Sequence, residues 1–290
     1  KYKPWGVILF SRNVKGFEQI KKLIKDIRFI FKDKNYPILI DQEGGRVNRL
    51  NKLIETSILT AEFFGNLYKK NKKKFYNYYR IYINQISYLL NEIGVNINTV
   101  PVLDVRRPKS SNVIGDRSYS SLAKNVSKIG DFCIEEFKKR GIGTVIKHIP
   151  GHGLAKEDSH KLTPVVKKKM KYLYKNDFVP FKNKKTFFAM TAHVIYKDID
   201  PINTATHSPK IIKLIRKKIG FKNIIISDDI SMKGLKYSIK QNLHRALSAG
   251  CNLILHCNAN YSEMRTVAEN SPNVDNFIIQ KTSQFYKFLS

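Results

Sequence analysis

The sequence predicts an α/β fold: a (β/α)8 TIM-type barrel in one domain spanning residues 1–290, apparently lacking its first strand at the N-terminus. Three observations predict it. Short apolar runs alternate seven times with stretches of helical periodicity, which implies a parallel sheet covered by helices. Asp41, Asp104, Lys147, His193 and Asp228 all fall at or just past the C-terminal ends of those runs, the face on which a barrel builds its site. An open doubly wound sheet would gather its site at one switch point, and no glycine-rich phosphate loop is present.

The apolar run at 6–10 reads as a strand, and a helix over about 16–31 follows, with Phe17, Ile20, Leu23, Ile24 and Ile27 at helical spacing. Strand 36–40 ends in Asp41-Gln42-Glu43-Gly44-Gly45-Arg46 and precedes a long helical stretch, roughly 60–93. Residues 95–105 hold a third strand, broken by Pro101 and closing at Asp104, before an amphipathic helix over 121–140. Strand 142–146 runs into Lys147, and a basic helix is expected near 167–182. Strand 187–192 ends at His193, and helix 210–219 stops at Gly220, in the place of a C′ glycine. Strand 224–226 ends in Ser227-Asp228-Asp229, and a helix over about 241–249 leads to strand 252–255. With seven units counted and no initiator Met, the eighth strand is expected upstream of Lys1.

At 290 residues with 42% hydrophobic content, 17 Phe and 15 Tyr, the chain is no disordered segment. No apolar run is long enough to span a bilayer, and residues 1–5 show no signal-peptide pattern. The net charge of +30 invites a nucleic-acid reading, but the lysines are scattered and the runs at 69–74 and 167–171 lack interleaved arginines and aromatics. They read as solvated faces, so no nucleic-acid partner and no stable membrane insertion are expected. Cys133, Cys251 and Cys257 have no metal-ligand spacing and read as reduced core thiols.

The densest chemistry lies in 147–160, where two lysines, three histidines and two acids gather around Pro150-Gly151-His152-Gly153. Asp158 and His160 sit two residues apart. A carboxylate on one imidazole nitrogen would let the other move a proton near neutral pH, although the spacing equally suits a surface pair. Asp228 can serve as a nucleophile and Asp229 as a structural acceptor, against the plainer reading of a helix cap. Asp41 with Arg49, and Arg117 in a second loop, offer carboxylates and guanidinium donors that suit a polar sugar; Arg46 reads as part of a buried ion pair closing the barrel.

Taken together, Asp41-Gln42-Glu43-Gly44-Gly45-Arg46-Val47, Pro101-Val102-Leu103-Asp104-Val105, Lys147-His148, Pro150-Gly151-His152-Gly153, Asp158-Ser159-His160, Ala192-His193-Val194-Ile195-Tyr196 and Ser227-Asp228-Asp229-Ile230-Ser231-Met232 resemble glycoside hydrolase family 3. Within it they look most like the bacterial β-N-acetylhexosaminidases of cell-wall recycling. The resemblance runs from about residue 6 to 258 in order. It implies a retaining mechanism with Asp228 as nucleophile and His160, paired with Asp158, as acid and base. It also implies that Asp41, Arg49, Arg117, Lys147 and His148 hold N-acetylglucosamine and its neighbour. The substrates implied are small N-acetylglucosaminyl-(anhydro)muramic acid fragments, with or without peptide, cleaved by a cytoplasmic monomer that needs no metal or cofactor. Ile149 stands where Phe is usual and Asp116 where Glu is usual, and the segment 202–207 also departs from the pattern.

Two other classes remain open on the sequence. A metal-dependent barrel hydrolase could use His148, His152, His160 and Asp228, although no His-x-His spacing occurs. A basic binding module would be betrayed by a steep salt dependence of nucleic-acid retention. A narrower variant keeps the glycosidase site but lets phosphate replace water.

Overall fold

The computed structural model describes residues 2–107, 112–159 and 161–290. Six parallel strands form one sheet in the order β1 (Val7–Leu9), β2 (Ile38–Ile40), β3 (Ile97–Asn98), β4 (Gly143–Ile149), β6 (Phe188–Thr191) and β8 (Ile224–Ile226). Two short strands, β5 (Val165–Val166) and β7 (Ile195–Tyr196), pair parallel outside it. The intervening helices are α1 (Phe17–Phe31), α2 (Ala61–Lys70), α3 (Lys72–Ile93), α4 (Ala123–Lys138), α5 (Met170–Lys175), α6 (Pro209–Leu214), α7 (Ile239–Ala249), α8 (Tyr261–Asn270) and α9 (Asn276–Leu289). No helix among the described residues is long and apolar enough to cross a membrane.

The sheet is curled. Ile8, Leu39, Ile97, Val145, Phe188, Met190, Ile224, Ile226, Leu253 and Leu255 pack into a single apolar cluster. The ring of Trp5, just before β1, lies 5.5 Å from that of Phe188 on β6, four strands away in the sheet order. A flat sheet would hold strands so far apart at about 19 Å. Arg12, after β1, donates to the carbonyl of Cys257, drawing the two edges together. Among the described residues, however, no backbone ladder joins β1 to the segment at Leu253. The expected (β/α)8 barrel without its first strand is therefore seen as a curled parallel sheet, not a complete hydrogen-bonded ring.

Helix α9, for which the sequence analysis had no element, plugs the end of this interior opposite the strand C-termini. Phe285 is fully buried, with its ring 5.2 Å from Phe188, and Thr282 accepts a hydrogen bond from the Trp5 indole at 2.9 Å. Phe285→Ala should lower stability by about 3–5 kcal/mol, as for other buried Phe truncations. Urea unfolding followed by fluorescence of Trp5, the single tryptophan, measures it. A loss below about 1 kcal/mol, the cost of a well-tolerated substitution, would show that α9 is not a plug.

The boundaries differ from expectation for local reasons. The stretch at 60–93 is two helices, because Asn71 adopts an extended backbone and its side chain caps α3 at the Lys74 N–H. The basic helix near 167–182 shrinks to α5, and Pro180 lies in a separate 3₁₀ turn. The third strand shrinks to two residues, and Val102 bridges Lys147 after the proline. The segment at 252–255 forms no strand of its own length but runs beside β8, through a parallel bridge of Leu253 with Ile226 and hydrogen bonds from the Asn252 and Leu253 N–H groups to the Ile225 carbonyl. Helix α6 continues as a π turn to Ile219, and Gly220 ends it with a φ of +83°.

Candidate active site

The strand C-termini surround an open pocket of about 330 Å³. It is lined by Asp41, Arg49, Arg117, Lys147, His148, Asp158 and Asp228, the described residues to which the resemblance gave a role, while Asp104 and His193 do not line it. His160 lies outside the described residues. Glu43, Arg46, His152, Ser159 and Asp229 complete the polar lining, while Phe10, Val47, Val113, Met190, Met232, Leu255 and Cys257 give the pocket an apolar portion.

One wall follows from strand periodicity. Extending β2 by alternation turns Asp41 and Glu43 into the pocket and Gln42 away from it, where its side-chain oxygen accepts from the Leu50 N–H at 3.1 Å. The Asn98 side chain bonds both the N–H and the C=O of Gln42, holding this extension on the sheet. Gly44 and Gly45 then take φ of +90° and +56°, a turn that favours glycine and brings Arg49 back beside Asp41 at 3.5 Å.

Lys147, on the fully buried β4, is the centre of that wall. Its ammonium donates to Asp41 at 2.9 Å, to Thr99 at 2.9 Å and to Glu43 at 2.6 Å. An ammonium has three N–H bonds, so all are engaged. Glu43 also receives a two-pronged bond from Arg117, 2.8 Å at each oxygen. Burial alone would raise both carboxyls. Lys147, Thr99 and Arg49 instead hold Asp41 well below the usual carboxylate range, and Arg117 with Lys147 holds Glu43 at about 2. Burial alone would lower the pKa of Lys147, but the two carboxylates raise it instead. The network is a preformed, charged surface.

Opposite it stands Asp228, just past β8. Burial raises its carboxyl, but His193, His148, the Asp229 N–H and Lys147 together lower it below the ordinary value, so it is an anion at neutral pH. Asp229 is the structural member of the pair: it accepts from the Ser231 N–H and hydroxyl at 3.0 and 2.7 Å and from the Cys257 N–H at 3.1 Å. His193 is fully buried and stands behind the pocket. Its Nε2 donates to the Asp229 carbonyl at 2.9 Å, and its Nδ1 faces Thr206 at 2.7 Å. Burial lowers its pKa, which keeps the ring neutral.

The turn after β4 is anchored on the third strand segment. A Cβ at Gly153 would collide with the backbone of Val105, so only glycine allows this approach. Burial pushes His152 down to about 4, and its Nε2 meets the hydroxyl of Ser159 at 3.3 Å. The Ser159 backbone carbonyl accepts from the Gly234 N–H at 2.8 Å, fastening the residue beside Asp158 to the loop that follows Asp228. Arg46 is half-exposed, not buried as expected. It bonds Asp116 at 2.8 Å and the carbonyls of Asn112, Val113 and Ile114, clasping one loop to another. Among the described residues no three His, Cys, Asp or Glu side chains are grouped as metal ligands. Glu43, read in the sequence only as part of a carboxylate-bearing stretch, was given no role of its own, although its two-residue offset from Asp41 on an extended strand was the available signal.

Comparison with known proteins agrees with this geometry. Residues 1–282 match the glycosyl hydrolase family 3 N-terminal domain. A β-hexosaminidase of Thioalkalivibrio sulfidiphilus is 33% identical over 258 residues, covering 87% of this chain and 73% of its own length. One from Haemophilus ducreyi is 34% identical over 264 residues, covering 87% of this chain and 74% of its own. Native NagZ from Neisseria gonorrhoeae superimposes with a TM-score of 0.86 at 26% identity, over 99% of this chain and 82% of that one. A family 3 β-N-acetylglucosaminidase from a Paenibacillus species gives 0.83 at 26% identity, with 98% of this chain matching 56% of that longer one. This chain belongs to glycosyl hydrolase family 3.

Proposed function

We propose that this family 3 β-N-acetylhexosaminidase removes terminal N-acetylglucosamine from β-1,4-linked (anhydro)muropeptide fragments, with retention of configuration. The observation that carries the reading is the pairing of an ionised Asp228 with the charged wall of Asp41, Glu43, Lys147 and Arg117 across one sugar-sized pocket. Asp228 attacks the anomeric carbon as the glycosidic C–O bond breaks, and His160, oriented by Asp158, gives its proton to the leaving oxygen. In the second half, His160 takes a proton from water, which attacks the same carbon and releases Asp228. Asp41, Arg49, Arg117, Lys147 and His148 hold the sugar and its neighbour. The apolar stretch of Met232, Leu255 and Cys257 offers an acetamido methyl a surface that the polar wall lacks.

The same reading makes the curled sheet a (β/α)8 barrel, supported by one interior cluster fed from seven successive strand positions. It places the enzyme in the cytoplasm, within peptidoglycan recycling, as a monomer acting on a small carbohydrate without metal or cofactor. The test is turnover of N-acetylglucosaminyl-anhydromuramic acid, followed by proton NMR with and without phosphate and after chelation. Release of β-configured N-acetylglucosamine as the first product is expected in every arm. First appearance of the α-anomer would reject retention, a sugar phosphate as sole product would reject hydrolysis, and loss on chelation would favour the metal-dependent reading.

A further inference from the structure

We propose that Asp104 is a positioning residue that fixes the proton of His148 on Nδ1, so that the ring offers the pocket an unprotonated, hydrogen-bond-accepting Nε2. The inference rests on the reading of the pocket as a sugar site, and it adds a residue and a direction of hydrogen bonding to it. Asp104 is fully buried, two residues past Val102, which bridges Lys147 on β4. Its Oδ2 lies 2.6 Å from His148 Nδ1. The backbone N–H of His148 reaches both carboxylate oxygens at 3.3 Å, and that of His152 reaches Oδ1 at 2.6 Å. Every group that bonds the carboxylate is thus a donor or can become one. Burial would raise this carboxyl, but His148, His152 and these N–H groups lower it, so it stays ionised.

An ionised carboxylate accepts only, and two acceptors 2.6 Å apart would repel, so Nδ1 carries the proton. With its one proton held there, the ring has its lone pair on Nε2, and it lines the pocket together with Asp228. Among the described residues no group bonds Nε2. The neighbouring Lys147 has no donor left to offer. The adjacent pair therefore divides its work: Lys147 supplies charge to the wall, and His148 takes the hydrogen of a sugar hydroxyl.

Asp104→Asn keeps the shape but can present its amide to Nδ1, which reverses Nε2 from acceptor to donor. Two measurements on the full chain test this. Nitrogen-15 NMR of labelled histidines should show, in the unmodified protein, a ring protonated at Nδ1 that is absent from His148→Gln and becomes Nε2-protonated in Asp104→Asn. A His148 found protonated at Nε2 in the unmodified protein would overturn the proposal, whatever the enzyme's substrate. In kinetics, Asp104→Asn should lower kcat/KM by about 10- to 100-fold, the scale of one reversed hydrogen bond. Added to His148→Gln it should cost less than about 3-fold more, because Asp104 acts through the ring. An equal loss in both backgrounds would make Asp104 merely structural and overturn the assignment. If Asp104→Asn does not fold, the first NMR spectrum and His148→Gln decide alone. If the chain cleaves no hexosaminide, the sugar-site reading fails while the tautomer is still read.

Discussion

Replacing Asp228 by Asn should lower turnover of p-nitrophenyl β-N-acetylglucosaminide by about 10³-fold or more, the scale on which removal of a nucleophile acts in enzymes with covalent intermediates. The expectation follows from electrostatics as much as from position. Asp228 is buried, which opposes its charge, yet His193, His148, the Asp229 N–H and Lys147 hold it ionised. Such a carboxylate is poorly solvated and has a lone pair available at neutral pH. Neutral Asn keeps the volume and removes the nucleophile; because the fold favours the charge that is lost, the variant should fold with an unchanged or slightly lowered Tm. Azide added to Asp228→Gly should restore turnover and yield an α-glycosyl azide, because the small anion enters from the face that the carboxylate left. Near-normal turnover by Asp228→Asn would remove this residue from the mechanism.

Lys147→Met should cost about 3–5 kcal/mol at pH 7, the scale for breaking a buried ion pair by deleting one partner, and raise KM as well. Asp41 and Glu43 would keep Arg49 and Arg117 but lose the cation shared between them. The pH dependence follows from the direction of the shifts. Both carboxyls are depressed in the folded protein, so their contribution is present above the ordinary carboxylate value of about 4 and is lost as pH falls toward 2. Without the lysine their folded values rise, and the variant can neutralise them by taking up protons as the solution becomes acidic. Urea unfolding should therefore show a gap between the two proteins that is wide at pH 7 and narrower at pH 4. Equal gaps at both would mean that Lys147 stabilises through packing alone.

The sheet and the corners of the site were legible because both are encoded locally. Buried parallel strands leave short apolar runs, and the groups after them, Asp41, Lys147 and Asp228, take their direction from the strand. The break at Asn71 was not legible, since its capping bond forms within an otherwise continuous helical pattern. Helix α9 escaped notice because its buried Ile278 and Phe285 belong to an interior assembled from strands far away in sequence. The partners of Lys147 escaped for the same reason: Asp41, Glu43 and Thr99 become its neighbours only when the sheet curls. Arg46 was expected in a buried ion pair with Asp41, but it pairs with Asp116 and loop carbonyls at the rim, where it stays half-exposed.

The pocket sets the body of this protein against its interior. The chain carries +30, yet five carboxylates and four lysine or arginine side chains face one another around the cavity. Asp41 and Glu43 are paired at contact distance with Lys147, Arg49 and Arg117, and the near balance of the rest leaves little field for a passing ion to answer. An uncharged hexose displaces water there without having to neutralise anything, while the cationic exterior remains answerable to salt. The chain is thus strongly charged toward the solution and nearly balanced toward its ligand.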